Sequence, residues 1–164
     1  MKTYDLDAVE YIAKMADGGL RDSLSLLDKC LAYSTDLTLE NVVKALGTTD
    51  YETMFNLLGH LLSGNKKDSI TIIENLYNDG KDLKQFVHGF CHFILDICKL
   101  RIGCDWSLVS IPKLKDYEEC IEDYDQLGLD DEVRTWLDVF MTLDSSIKYS
   151  STPKMDIECM IYKE

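Results

Sequence analysis

Proline and glycine are scarce in this 164-residue chain, with 2 and 9 copies. That scarcity excludes collagen-like and proline-rich linker readings. No apolar run approaches the roughly 20 residues that a membrane helix needs. The opening MKTYDLDAVE has no apolar signal region, so secretion is not expected. Cys30, Cys91, Cys98, Cys104, Cys120 and Cys159 form no Cys-x-x-Cys pair. Without a signal peptide their even number implies no disulfide framework, and reduced thiols in a cytoplasmic protein are the expectation. Positive charge is also short. Lys+Arg total 17 against 30 Asp+Glu, a formal net charge of -13. So acidic a chain repels phosphate backbones at long range, which speaks against direct DNA contact. Only Arg21, Arg101 and Arg134 offer the guanidinium fork that suits phosphate best.

What is present is a globular balance, 46% hydrophobic against 29% charged residues, enough to build a core without staples. The apolar residues recur at helical spacing, and no alternating strand pattern occurs. A first helix over about Asp7 to Ala16 has the stripe Leu6, Val9, Ile12, Ala13 and Ala16, and Gly18 and Gly19 stop it. A second, Leu20 to Tyr33, carries Leu20, Leu24, Leu27 and Leu31. Thr38 caps a third, Leu39 to Leu46, which Gly47 closes. After the Gly47-Thr48-Thr49 turn, helices are expected over Tyr51–Leu62, Lys66–Tyr77, and from the cap Asp82 to about Ile102. The last of these has the stripe Leu83, Val87, Phe90, Ile94 and Ile97. Cys104 to Pro112 reads as irregular, with Trp106 plugging a gap. A polar helix over Lys113–Asp125 follows, then one over Asp130–Tyr149. Thr152-Pro153 starts a last helix with Met155, Cys159 and Tyr162 on its apolar side. The expected architecture is all-α: a three-helix unit over residues 1–47, then a bundle of five to six helices over 48–164.

No self-contained catalytic motif is found. There is no G-x-x-x-x-G-K-[ST] phosphate loop, no G-x-S-x-G elbow and no G-x-G-x-x-G. His88 and His92 stand four apart on one helix, a spacing that can serve a metal. Gly89 occupies the place of the glutamate in H-E-x-x-H and no third ligand has diagnostic spacing, so a surface histidine pair and no metal is the better reading. Asp116 to Glu132 holds nine acids and no Lys or Arg. It reads as a solvated face, or as a contact for a basic partner.

The segment Ala16-Asp17-Gly18-Gly19-Leu20-Arg21-Asp22-Ser23 is more specific. Two glycines permit a sharp turn between helices. The second helix then presents free N–H groups and a positive dipole end. A cation in that first turn is unfavourable by itself, and Asp22 offsets the dipole. Arg21 there suits an anion, phosphate above all, docked on its fork. The plainer reading is an ion pair with Asp22 or Asp17.

These residues, continued by Leu24-Ser25-Leu26-Leu27-Asp28, resemble the lid of the bacterial DNA polymerase III gamma/tau clamp-loader ATPase family, whose pattern is roughly A-[DE]-G-[GS]-[ML]-R-D-A-L-S-L-[LT]-D-Q. Ser23 stands for Ala and Lys29 for Gln. Leu46-Gly47-Thr48-Thr49-Asp50 is similar to the family's L-G-x-x-D joint, and Thr152-Pro153-Lys154 to its N-P-R helix start, with Lys154 for Arg. The resemblance implies a lid (residues 1–47, the sensor-2 region) and a helical collar (48–164), with an ATPase module upstream and Met1 a fragment start. It implies that Arg21, supported by Gly18, Gly19 and Asp22, is the sensor-2 residue reaching the gamma-phosphate of ATP. It implies no catalytic residue and no cofactor in this part, ATP with Mg in the parent chain, and other clamp-loader subunits as partners of the collar. Sliding clamp and primed DNA would be met through the ATPase module. The residues alone also admit a free-standing acidic helical adaptor, with Arg21 a structural ion pair.

Overall fold

The structure, a computed structural model, describes residues 4–46 and 51–164. The expected joint at 47–49 and the closing Gly47 lie outside the described residues. Among the described residues there are nine α-helices and no strand, apart from a single parallel bridge between Tyr4 and Leu37. The fold is all-α. It divides into two compact units, Met1–Asp50 with Pro112–Glu118, and Tyr51–Ile111 with Glu119–Glu164.

The first unit holds α1 (Leu6–Met15), α2 (Leu20–Tyr33) and α3 (Leu39–Leu46). Its core is Ala8, Tyr11, Ile12, Cys30, Leu39 and Val42, with Leu37 and Leu46. Leu114 packs on this core, which is why Pro112–Glu118 groups here. Thr38 caps α3 as expected, its hydroxyl accepting from the Asn41 N–H at 3.3 Å. Lys29, which departs from the family pattern, donates to the Leu46 carbonyl at 3.3 Å and so ties α2 to the end of α3. Two stripes differ from the sequence reading. On α1 the buried set is Ala8, Tyr11 and Ile12, with Ala16 just beyond the helix, while Leu6 and Val9 are exposed. On α2 only Cys30 is buried, and Leu20 and Leu24 are 76% and 54% exposed. With eight residues, α3 covers only part of α2, so the leucine stripe outruns its cover.

The second unit holds α4 (Tyr51–Leu62), α5 (Lys66–Asn78), α6 (Leu83–Arg101), α8 (Asp130–Ile147) and α9 (Pro153–Lys163), while α7 (Lys115–Gln126) starts in the first unit and continues here. Asp82 caps α6, its carboxylate accepting from the N–H groups of Lys84 and Gln85. The predicted stripe of α6 is buried throughout, and α6 packs chiefly on α8. Phe90 meets Phe140 edge-on with centroids 4.6 Å apart, and Phe55 meets Phe93 likewise at 4.8 Å.

The segment after α6 contains one short 3-10 turn, Trp106–Leu108. Trp106 is only half-buried; the gap is filled by Val109 and Ile111. Asp96, a buried carboxylate on α6, holds this segment by accepting from the Ser110 N–H at 2.8 Å and from Lys99 at 3.0 Å. On α9 the buried residues are Ile157 and Ile161, not Met155 and Tyr162, which are exposed along with Cys159. A contact with α5 sets this rotation. Lys154 pairs with Glu74 and lies 4.9 Å over the Tyr77 ring, and Lys66 donates to the Tyr162 carbonyl. Of the six cysteines only Cys30 and Cys91 are buried.

Candidate functional site

The chain turns from α1 into α2 over four residues, Ala16 to Gly19. Asp17 and Gly18 both adopt left-handed backbone, φ 47° and 78°. Glycine takes this conformation without cost, whereas a side chain at 18 would be strained. Gly19 is the N-cap of α2 and has a different need. A Cβ there would stand 3.0 Å from the Asp22 carboxylate and 3.2 Å from the Ala16 carbonyl oxygen. That carbonyl accepts the Gly19 N–H at 2.9 Å, so the turn is closed by its own backbone. The cap has no side-chain hydrogen bond, and Asp22, folded over Gly19, supplies the negative charge that the helix start favours. Ser23 bonds back to the Gly19 carbonyl at 2.9 Å and Ser25 to that of Arg21 at 3.0 Å, so both hydroxyls are occupied within α2.

Arg21 lies in the first turn of α2 and is exposed. Among the described residues its guanidinium makes no hydrogen bond and no ion pair, with Asp17 and Asp22 included. The other two arginines are engaged. Arg134 pairs with Asp131 at 3.8 Å on the surface of α8. Arg101 pairs with Asp125 and with Asp130; its own side chain is only 5% exposed, while the two carboxylates stay open to solvent. The fork that fits a phosphate is therefore free at Arg21.

The first unit also has a feature that sequence reasoning missed. Leu24, Leu27 and Leu31 of α2 line an open apolar groove of about 340 Å³ in the first unit, with Val9, Ile12 and Leu37 in its other walls. Periodicity placed Val9 and Ile12 on one face of α1 and Leu24, Leu27 and Leu31 on one face of α2, yet it carries no signal of whether a face is covered.

The remaining candidates fall in the second unit or on α7. His88 and His92 lie on one face of α6 with ring centroids 4.7 Å apart. His88 Nδ1 is 3.2 Å from an Asp144 carboxylate oxygen on α8, a partner 56 positions away that no local spacing could announce. Cys91 between them is buried, and that burial, with Asp144 adding to it, pushes its thiol up to about 11. Among the described residues no group of three or more His, Cys, Asp or Glu side chains is placed to hold a metal ion. The acidic run is mostly exposed, but Asp125 and Asp130 are the partners of Arg101. Among the described residues no helix is long and apolar enough to cross a membrane.

Two family models match. "DNA polymerase III clamp loader subunit, ATPase lid domain" covers residues 2–36, and "DNA polymerase III subunits gamma and tau domain III" covers residues 37–161. By these matches α3 falls in domain III, although it packs into the core of the first unit with α1 and α2. The DNA polymerase III subunit tau of Bacillus subtilis is 24% identical over 159 residues, 95% of this chain and 28% of that protein. The subunit gamma/tau of Mycoplasma genitalium is 29% identical over 111 residues, 66% of this chain and 17% of that protein. "Protein STICHEL-like 2" of Arabidopsis thaliana is 26% identical over 94 residues, 57% of this chain and 11% of that protein. The chain thus spans under a third of the length of these relatives. With both models matched in order along almost its whole length, the chain belongs to the DNA polymerase III gamma/tau family and comprises the clamp-loader lid and domain III.

Proposed function

We propose that this chain couples nucleotide state to clamp-loader assembly, with Arg21 as the sensor that reads the gamma-phosphate of ATP. The free guanidinium of Arg21 carries the reading. It is exposed at a helix start that the turn 17–19 fixes in direction, while both other arginines are spent on carboxylates. A planar fork binds phosphate oxygens in pairs, so it registers the loss of one phosphate as the loss of two charge-assisted bonds. Rotation of the lid can then follow hydrolysis.

In this reading residues 1–47 act as the lid, since α3 packs with α1 and α2, and 48–164 act as the collar. ATP and Mg belong to an ATPase module of the gamma/tau kind. The chain itself supplies sensing and assembly and not the hydrolytic step, in keeping with the lack of a phosphate loop in its sequence. The apolar groove of the first unit is a surface for that module to cover. The collar joins other clamp-loader subunits, and the ring loads the sliding clamp on primed DNA in the cytoplasm. A net charge of -13 suits a part that meets proteins and leaves DNA to the ATPase modules.

The test is Arg21→Ala in a chain carrying its ATPase module. ATP-driven clamp loading should fall by about a hundredfold, the scale set by losing two charge-assisted bonds, with the helical content intact. An unchanged ATP response would sink the proposal.

A further inference from the structure

We propose that His88 and His92 form a two-imidazole chelate for a borderline divalent transition metal such as zinc, with Asp144 as the outer carboxylate that orients His88. Three observations meet here. Residues four apart on a helix share a face, and these two rings lie 4.7 Å apart, edge to face at 77°. Asp144 on α8 stands 3.2 Å from His88 Nδ1. An ionised carboxylate only accepts, so the Nδ1–H is the donor, and this tautomer leaves the Nε2 lone pair free. A histidine that donates one ring N–H to a carboxylate and keeps the other nitrogen open is the arrangement that metal-ligating histidines adopt. His92 is exposed and, among the described residues, has no hydrogen-bond partner, so its ring is free to turn toward a shared ion.

The ligand chemistry selects the ion. Imidazole suits zinc, copper and nickel, not magnesium or calcium, which take oxygen. Cys91 does not complete the set, because it is buried while both histidines are exposed. The protein therefore offers two ligands and water fills the rest, which makes an exchangeable site rather than a structural one. Bound metal joins two positions of α6 at its contact with α8.

The test is a zinc titration of the reduced 164-residue chain, followed through the imidazole NMR signals. His60, on α4, is the internal control. Micromolar zinc is expected to move the His88 and His92 signals together and leave His60 in place. His92→Gln should abolish the response. Asp144→Asn should weaken binding by roughly tenfold or more. Zinc should also raise the melting midpoint of the parent chain and not that of His92→Gln. Imidazole signals that stay still at micromolar zinc overturn the proposal, as does zinc taken up by thiols alone or a response that survives His92→Gln. An unchanged affinity in Asp144→Asn overturns the part assigned to Asp144.

Discussion

Nη2 of Arg101 lies 2.7 Å from an Asp130 carboxylate oxygen, so the last turn of α6 is tied to the first residue of α8. Nε of the same guanidinium bonds Asp125 on α7. One buried side chain thus gathers three helix ends, although its Nη1 is buried with no partner. Arg101→Ala removes two charge-assisted bonds, but the carboxylates left behind are half-exposed and regain water. The expected loss is about 2 kcal/mol, below the cost of stranding a fully buried charge. Arg101→Met, which keeps the packing and discards the unpartnered nitrogen, should lose less. Urea unfolding of both variants checks the order.

Asp96 carries a heavier structural duty than its single charge suggests. It is buried and accepts the Ser110 N–H, and the Tyr51 hydroxyl donates to the Ser110 carbonyl at 3.0 Å. Asp96→Ala leaves a backbone N–H without its acceptor and frees the segment that seats Val109 and Ile111. A loss of about 2–3 kcal/mol is expected. Asp96→Asn keeps an acceptor for Ser110 and should recover part of that. Denaturant midpoints, with proteolysis around residue 108, distinguish a local opening from a global one.

Tyr124 sets a limit at high pH. Its hydroxyl donates to the Phe55 carbonyl at 3.1 Å, and burial, with Cys120 and Asp123 adding to it, holds its ionisation well above the ordinary tyrosine range. The folded form thus favours the neutral phenol. That stabilisation is complete below the unfolded value near ~10 and is lost as pH rises from there through the folded one. Cys91, raised from 9.0 to about 11, acts in the same direction over a lower window. Tyr124→Phe should cost about 1 kcal/mol near neutrality, from the lost hydrogen bond, and flatten the decline above pH ~10. Thermal midpoints across pH 7 to ~11 for both forms test the sign.

Local order was well encoded in the sequence, and coverage was not. The α6 stripe from Leu83 to Ile97 is buried as its spacing implies, because a long helix with neighbours on that side must bury its apolar face. The same logic failed on α2, where Leu20 and Leu24 face outward. Spacing defines a face, while its burial depends on how far a neighbouring helix reaches. Val109 and Ile111 carry no period at all, so only the packing reveals them as core. At the candidate site the glycines, Arg21 and Asp22 were legible as a motif. That Arg21 has no partner among the described residues, and that Arg101 and His88 have partners 24 and 56 positions away, follows only from the assembled chain.

The docking of α9 on α5 also fixes an order in time. The Lys66 ammonium and the Tyr162 carbonyl are 96 positions apart, and Ile157 and Ile161 reach full burial only when that loop of chain has closed. The first unit draws its core mostly from residues within a short stretch and can form as soon as α3 exists. A nascent chain emerging at about 5–20 residues per second therefore holds α5 half-covered for several seconds before its last helix arrives. During that interval the apolar side of α5 is open to a chaperone.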